Sequence, residues 1–393
     1  MDQIKDGRAG FIMPDGSTLG YGALVPAAEV IVTGDQLLAD NALPRYALRS
    51  ADKRQAIGQG RRHHELAEIV TGQMTYARDV SITDMAFGAA IYPPAFGARF
   101  VKADPAKARA IPGVIGVDID KGDGFVGIVA DNPFVLADAI AVLDAQWQIA
   151  EELNQSQIVS RLDVEKFRSD DDFAHTLLSS GDLGVGRQTA LHRVTGRYET
   201  PFAAHAAIEP RSGLVWVRDD KVEVRCGTQD PYFAQKRVAK IVGREVDDVV
   251  VHTHRIGGGF GGRVPSQATE AAARLSAAFN RPVRVQWDRK TELQNNYFQP
   301  KSSHFIEAGV TDDGTISHWD HDVVSSSILT GLVPNFVGKA IDMAKADDGT
   351  VRGIVPQYDM LNRRIRHSAV RTPVPVNAWR GLGSDQMLLP LRV

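Results

Sequence analysis

The run Val249-Val250-Val251-His252-Thr253-His254-Arg255-Ile256, followed at once by Gly257-Gly258-Gly259-Phe260-Gly261-Gly262-Arg263, decides how the rest of the chain is read. Its first part is β-branched and reads as a strand. Its second part has five glycines in six positions. Each glycine costs backbone entropy, so such density marks a bend or a close approach of the backbone to a ligand. A helix is expected over Gln267–Phe279, with Ser266 as its N-cap. Strand, glycine loop and helix N-terminus together suit an oxyanion, a phosphate or a metal-oxo group. A tight loop with no ligand is the plain alternative.

Working outward, Leu214–Val217 and Val222–Cys226 predict a hairpin around Asp219-Asp220. A helix over Tyr232–Val242 places Ala234, Val238, Ile241 and Val242 on one face and ends at Gly243. Val283–Trp287 reads as a strand, and His304–Val310 with Ile316–Asp322 as a hairpin turning at Asp312-Asp313-Gly314. Upstream, strands are expected over Met85–Tyr92, Val114–Ile119 and Phe125–Ala130, with helices over Pro105–Ala110 and Pro133–Leu143. The polar stretch 150–190 predicts a helical connection over Val164–Leu178. Strand-like stretches surround Gly16 and Gly22, and a polar, basic region runs from Arg49 to Arg62. The fold class is α+β. The expected divisions are an N-terminal lead-in segment over 1–70, a small α+β domain over 71–150, a connection over 151–190 and a larger α/β domain over 191–393.

The length of 393 residues and 42.7 kDa implies more than one core. A hydrophobic fraction of 43% and a charged fraction of 24% fit a globular chain. The net charge of −3 gives no footprint for nucleic acid or an anionic membrane. The apolar run Tyr21–Val32 is too short to span a bilayer and contains Glu29. The first residues lack a basic and then apolar pattern, so no signal peptide is expected, and localisation is left open. Cys226 is the single cysteine. It excludes an internal disulfide, a cysteine-rich zinc site and an iron–sulfur cluster on this chain, so a cluster would need another subunit.

Three chemistries compete for the glycine loop. A P-loop fails because Arg263 and Val264 stand where Lys and Ser/Thr must hold phosphate and magnesium. A dinucleotide fingerprint is matched by Gly257-x-Gly259-x-x-Gly262 after a strand, with Asp288 ending the next strand, which keeps an NAD(P)-binding reading open. His252 and His254 share a strand face but lack a third ligand nearby, so a hydrogen-bonded or solvated pair is preferred to a metal site. His205 and Glu209 are read as packing and hydrogen-bonding residues near the pocket, and Cys226 as a small buried hydrophobe.

The third chemistry comes from resemblance. The loop Gly257–Arg263 resembles that of the molybdenum hydroxylases, the family of xanthine dehydrogenase and aldehyde oxidase. Val70-Thr71-Gly72 with Tyr76 and Asp79, then Pro94 to Ala98 and Ile111-Pro112-Gly113-Val114, resembles the family's small hammerhead domain. Tyr198-Glu199-Thr200-Pro201 with His205, Ile208-Glu209-Pro210, Cys226-Gly227-Thr228-Gln229 and Trp379-Arg380-Gly381 follow in the family's order. The similarity covers about residues 65–385 and leans toward the large subunits of isoquinoline 1-oxidoreductase and membrane-associated bacterial aldehyde dehydrogenases. It implies a hammerhead-like domain followed by the first part of a molybdopterin-binding domain.

The resemblance further implies a molybdenum–pyranopterin cofactor, with a cytosine dinucleotide form as one option, and hydroxylation of an aldehyde or N-heteroaromatic carbon with oxygen from water. The cofactor carries the hard chemistry and the protein supplies position and electrostatics. The implied cofactor-binding set is Gln229, Gly258, Gly259, Phe260, Gly261, Gly262 and Arg380. Gln229 would hydrogen-bond an oxo group, or else cap the helix near Tyr232. Phe260 would shape the substrate pocket or pin the loop as a core anchor, and Gly261 would bring its N–H to the cofactor. Arg380 would lie near the metal or in an ordinary surface turn. The implied partners are a small [2Fe-2S] subunit, a cytochrome c subunit and a separately encoded C-terminal half. The base glutamate is expected beyond Val393, so the chain alone should be inactive. A non-catalytic truncated remnant or interaction protein is the alternative from another class.

Overall fold

The computed structural model describes residues 5–6, 10–20, 23, 50–54, 57–149, 154–173, 175–329, 343, 347 and 349–383. Except for Ala23, the apolar run Tyr21–Val32 lies outside the described residues. The chain divides into two compact units, 1–67 and 68–393. In the first, Lys5–Asp6, Gly10–Ile12 and Thr18–Gly20 form a three-stranded antiparallel sheet. No described helix is long and apolar enough to cross a membrane.

The second unit is built on a seven-stranded mixed sheet in the order Val249–Thr253, Val222–Cys226, Ser212–Val217, Val283–Gln286, Ala86–Ala90, Phe125–Ala130, Val114–Asp120. Val222–Cys226 runs parallel to Val249–Thr253 and antiparallel to Ser212–Val217, which is antiparallel to Val283–Gln286, itself parallel to Ala86–Ala90. The carboxyl ends of those four co-directional strands therefore share one edge. Ligands of open α/β sheets bind at such an edge.

The helices Pro231–Val242 and Gln267–Phe279 pack on each other, and Gln267–Phe279 packs on five strands of the sheet. Pro231 opens the first helix, Asp230 Oδ1 accepts the Phe233 N–H at 2.9 Å, and Gly243 closes it at φ 66°. The second is alanine-rich, which favours helix and allows close approach to the sheet. Ser266 precedes it without capping it, because its hydroxyl is bonded to Thr269 Oγ1 at 2.6 Å.

The expected boundary between a small domain over 71–150 and a larger one over 191–393 does not separate two sheets. Ala86 pairs with Val283, Phe87 with Arg284 and Gly88 with Val285. Leu275 of the shared helix explains the union. A Cβ on Gly88 would lie 2.8 Å from its Cδ1, and one on Gly127 2.6 Å from its Cδ2. Ala86, Val129, Val215, Val224, Val283 and Leu275 form one buried core.

A second, five-stranded sheet follows the order His192–Thr200, Ser302–Val310, Ile316–Ser326, Arg363–Val370, His175–Ser180. Its hairpin extends past the expected limits at both ends. The helix expected over Val164–Leu178 forms only over Val164–Ser169, preceded by a separate helix Gln155–Ser160, and His175–Ser180 is a strand. Asp170, Asp171 and Asp172 place three carboxylates where the helix dipole opposes them. Asp171 turns at φ 49°, and the following residues pair with Arg363–His367.

Candidate functional site

Val222–Cys226 and Val249–Thr253 leave the sheet side by side, with Cys226 opposite Thr253 and the His254 N–H donating to Cys226 O at 3.0 Å. That pairing brings Gln229 to the glycine loop. Gln229 Oε1 accepts from the Gly261 N–H at 2.9 Å and the Arg263 N–H at 3.2 Å, and the Gln229 N–H donates to Arg263 O at 3.1 Å. Two donors at one end of the carboxamide identify that end as oxygen. The amide nitrogen of this side chain has no partner among the described residues. Helix capping, the alternative role for Gln229, belongs to Asp230.

The Gly261 N–H, expected to face a cofactor, is bonded to Gln229 instead. Within the loop, the Gly257 N–H donates to Glu209 Oε2 at 2.7 Å and the Gly262 N–H to Gly259 O at 2.9 Å. Those of Gly258, Gly259 and Phe260 have no acceptor among the described residues. Much of the glycine density answers to packing. A Cβ on Gly259 would lie 2.5 Å from Gln229 Oε1, one on Gly262 2.7 Å from His205 Cγ, and one on Gly261 would fall on the carbonyl of Ala378. Phe260 sits at φ 55°, unusual for a bulky residue. The residue is 41% exposed, so it is no core anchor.

Arg380 joins the same group. Its N–H donates to Phe260 O at 3.0 Å, in a turn closed by Leu382 N–H to Trp379 O at 2.9 Å. Its side chain is exposed. The structure thus brings Gln229, the loop 258–262 and Arg380 together at the carboxyl edge.

Beneath the loop, Arg263 and Glu209 of the quoted motifs meet Arg211 and Glu292, which no motif singled out. Arg211, 1% exposed, donates from Nη2 to Gly262 O at 2.8 Å and pairs with Glu292 at 3.3 Å. Arg263, 2% exposed, bonds the Glu209 carbonyl through Nη2, while its Nε and Nη1 have no hydrogen-bond partner among the described residues. Glu209 Oε2 is 3.6 Å from Arg263 Nη1, and Glu209 Oε1 accepts the Arg78 N–H at 3.3 Å. Burial pushes both guanidinium groups below their ordinary values, opposed by Glu292 in each case. The sequence signals for this layer were Arg263 following the glycines and Glu209, read as a hydrogen-bonding residue near the pocket; nothing marked Arg211 or Glu292.

The remaining candidates resolve simply. Asp288 Oδ1 accepts the Thr291 N–H at 2.6 Å and caps the helix Arg289–Asn295, so it is occupied rather than free for a ribose. His252 is exposed, and no group of three or more His, Cys, Asp or Glu side chains among the described residues is placed to hold a metal ion. Cys226 is buried, and burial pushes its thiol up to about 11.

The groups left available are donors: three backbone N–H groups, an amide nitrogen, an exposed arginine and, below them, an under-partnered buried guanidinium. They fit an anionic, oxygen-rich group that brings its own ligands to a metal. A donor-lined loop at the carboxyl edge of a mixed sheet stands where such folds hold their ligands. The chain belongs to the molybdopterin cofactor-binding domain family, whose model matches residues 168–391, and within it to the molybdenum hydroxylases. It is 25% identical to a nicotinate dehydrogenase chain of Pseudomonas putida, over 98% of this chain and 32% of that one. It is 27% identical to the beta chain of isoquinoline 1-oxidoreductase of Brevundimonas diminuta, over 87% of this chain and 44% of that one. The chain therefore spans less than half the length of these relatives. Quinoline 2-oxidoreductase of Pseudomonas putida 86 shares the fold with a TM-score of 0.66 at 20% identity, over 84% of this chain and 46% of that one. The aldehyde oxidoreductase of Desulfovibrio gigas does so at 0.65 and 19%, over 82% and 40%.

Proposed function

We propose that the chain forms part of the molybdopterin-binding subunit of an oxidoreductase that hydroxylates an aldehyde or an N-heteroaromatic carbon with oxygen from water. The observation that carries this reading is the convergence of Gln229, the N–H groups of Gly258, Gly259 and Phe260, and Arg380 on one edge of the sheet. When bound, the molybdenum–pyranopterin supplies the two-electron oxidation. The protein's part is positional. The free amide nitrogen of Gln229 and the loop N–H groups donate to oxygen atoms of the group, and their carbonyl-side bonds hold them pointed there. The exposed ring of Phe260 forms one wall for a flat substrate. Glu209 and Glu292 are both engaged beneath the loop by backbone N–H groups, so neither is free to act as the proton-abstracting base.

With Cys226 its only cysteine, the chain passes electrons to clusters on a [2Fe-2S] subunit. A cytochrome c subunit and a cytosine dinucleotide form of the cofactor complete the proposal. The test is molybdenum and pterin analysis of the chain purified with its partner subunits. Stoichiometric molybdenum is expected. A folded complex free of both would leave the non-catalytic remnant as the better reading.

A further inference from the structure

His205 lies behind the glycine loop and is 4% exposed. Its ring backs onto Gly262, where a Cβ would lie 2.8 Å from its Nδ1. Its other side stacks on Trp379, with centroids 4.6 Å apart and planes 23° apart. Nδ1 lies 3.1 Å from Tyr297 O, and Nε2 lies 3.0 Å from Ala378 O. Both neighbours are carbonyl oxygens and accept only. A neutral imidazole has one N–H, so it can satisfy one of them and must aim a lone pair at the other. An imidazolium satisfies both and gains from the Trp379 face.

The charged groups acting on the ring are Arg211 and Glu292, which are paired with each other. The elements that touch it directly, Gly262, Tyr297 O and Ala378–Trp379, present no ionised side chain to it, and Tyr297 is itself held neutral by burial. Burial lowers the proton affinity of His205, and the two carbonyls and Glu292 oppose that. The balance is open to change by a charge placed on the loop.

We propose that His205 is a positioning residue that, only when doubly protonated, ties the Arg380-bearing segment at Ala378 O to Tyr297 O behind the glycine loop with two hydrogen bonds, so that its proton and an anionic group on the loop stabilise each other. The clamp acts through Ala378. Two residues on, the Arg380 N–H bonds Phe260 O, so the same short segment is tied at both ends. Linkage makes the effect reciprocal: an anion that favours the imidazolium is itself held better when the clamp is closed. The clamp stands on this chain's geometry alone, whereas its coupling to the cofactor rests on the molybdopterin reading.

The experiment combines imidazole 15N spectroscopy with amide hydrogen exchange on the chain in its complex, prepared with cofactor and from a host that makes none. In the cofactor-free form, exchange at the Arg380 amide, corrected for intrinsic pH dependence, should slow about fivefold as His205 gains its second proton, the worth of one ordinary hydrogen bond. His205→Phe keeps the stacked ring without donors and should abolish that dependence. In the loaded form the His205 midpoint should rise by roughly one pH unit. Protection that ignores the His205 titration in wild type overturns the clamp, even if the variant fails to fold. An unshifted midpoint in molybdenum-loaded protein overturns the coupling. A complex from the cofactor-making host that lacks molybdenum yet shows titration-linked protection would sink the cofactor reading and leave the clamp standing.

Discussion

The side-chain carbonyl of Gln229 accepts the backbone N–H of Gly261 at 2.9 Å and that of Arg263 at 3.2 Å, stitching together the segments that follow two neighbouring strands. This one oxygen holds the loop, which frees the amide nitrogen for a ligand.

Replacing Gln229 separates the two jobs. Gln229→Ala strands two loop N–H groups, one of them on buried Arg263, and should cost about 1–3 kcal/mol in urea unfolding. Gln229→Glu keeps the acceptor but removes the outward donor, so its stability should stay within about 1 kcal/mol of wild type while molybdenum content falls. A Glu variant as molybdenum-rich as wild type would remove Gln229 from the cofactor set.

Glycine positions should divide sharply by what faces them. Gly261 has φ 99°, and a Cβ there would collide with the backbone carbonyl of Ala378, which cannot move without parting the Arg380 segment from the loop. Gly261→Ala should cost more than about 3 kcal/mol or prevent folding. Gly243 has φ 66° but nothing within 4 Å of a Cβ. Gly243→Ala at this helix end should cost only about 1 kcal/mol. Equal losses in the two melting experiments would contradict the packing account of the loop.

How far the sequence could be read follows from where each interaction lies along the chain. The helix Gln267–Phe279, the strand Phe125–Ala130 and the Gly243 stop were legible because periodicity and capping are local. The fusion of Ala86–Ala90 with Val283–Gln286 was not, since parallel pairing across such a separation leaves no local trace. The loop, Gln229 and Arg380 were legible as a set only through an ordered resemblance. What escaped was the layer beneath them. Nothing in the composition around Arg211 distinguishes an arginine buried on Glu292 and Asn296 from one in solvent.

Asp288 offers a test of the discarded dinucleotide reading. Because it caps Arg289–Asn295, Asp288→Ala should cost about 1 kcal/mol. NAD(H) and NADP(H) should leave the melting temperature of wild type and variant unchanged. A dinucleotide-dependent rise in wild type that the variant lacks would restore that reading.

Cys226 should resist alkylation. Burial holds its thiol at about 11, and the residue is wholly enclosed between sheet and helix. Native protein at about pH 8, near the ordinary thiol value, should incorporate no iodoacetamide over a time in which urea-unfolded protein reacts fully. Rapid labelling of the native chain would show that the strand end beside Gln229 opens.

The strongest pH prediction comes from the five-stranded sheet. Thr200, Ser302, His304 and His321 form a buried chain: Thr200 Oγ1 to Ser302 Oγ at 2.6 Å, Ser302 Oγ to His304 Nε2 at 2.7 Å, and His304 Nδ1 to His321 Nε2 at 2.9 Å. His367 Nε2 lies 2.9 Å from Ser325 Oγ nearby on the same sheet. Burial pushes His321 down to about 3 and His367 to about 4, from an ordinary 6.5. The unfolded chain therefore takes up protons below about pH 6.5 that the folded chain refuses, so stability falls as pH drops, from about 6.5 toward the folded values. Each histidine contributes a slope of up to about 1.4 kcal/mol per pH unit in that window. The ion-paired carboxylates Glu199 and Glu307, held below 4.5 mainly by Lys301 and Arg187, begin to lose their contribution only below about that pH. Urea unfolding between about pH 7.5 and about pH 5 thus isolates the histidines. The expected loss is a few kcal/mol; a flat profile there would mean that these imidazoles are solvated or charged in the native protein.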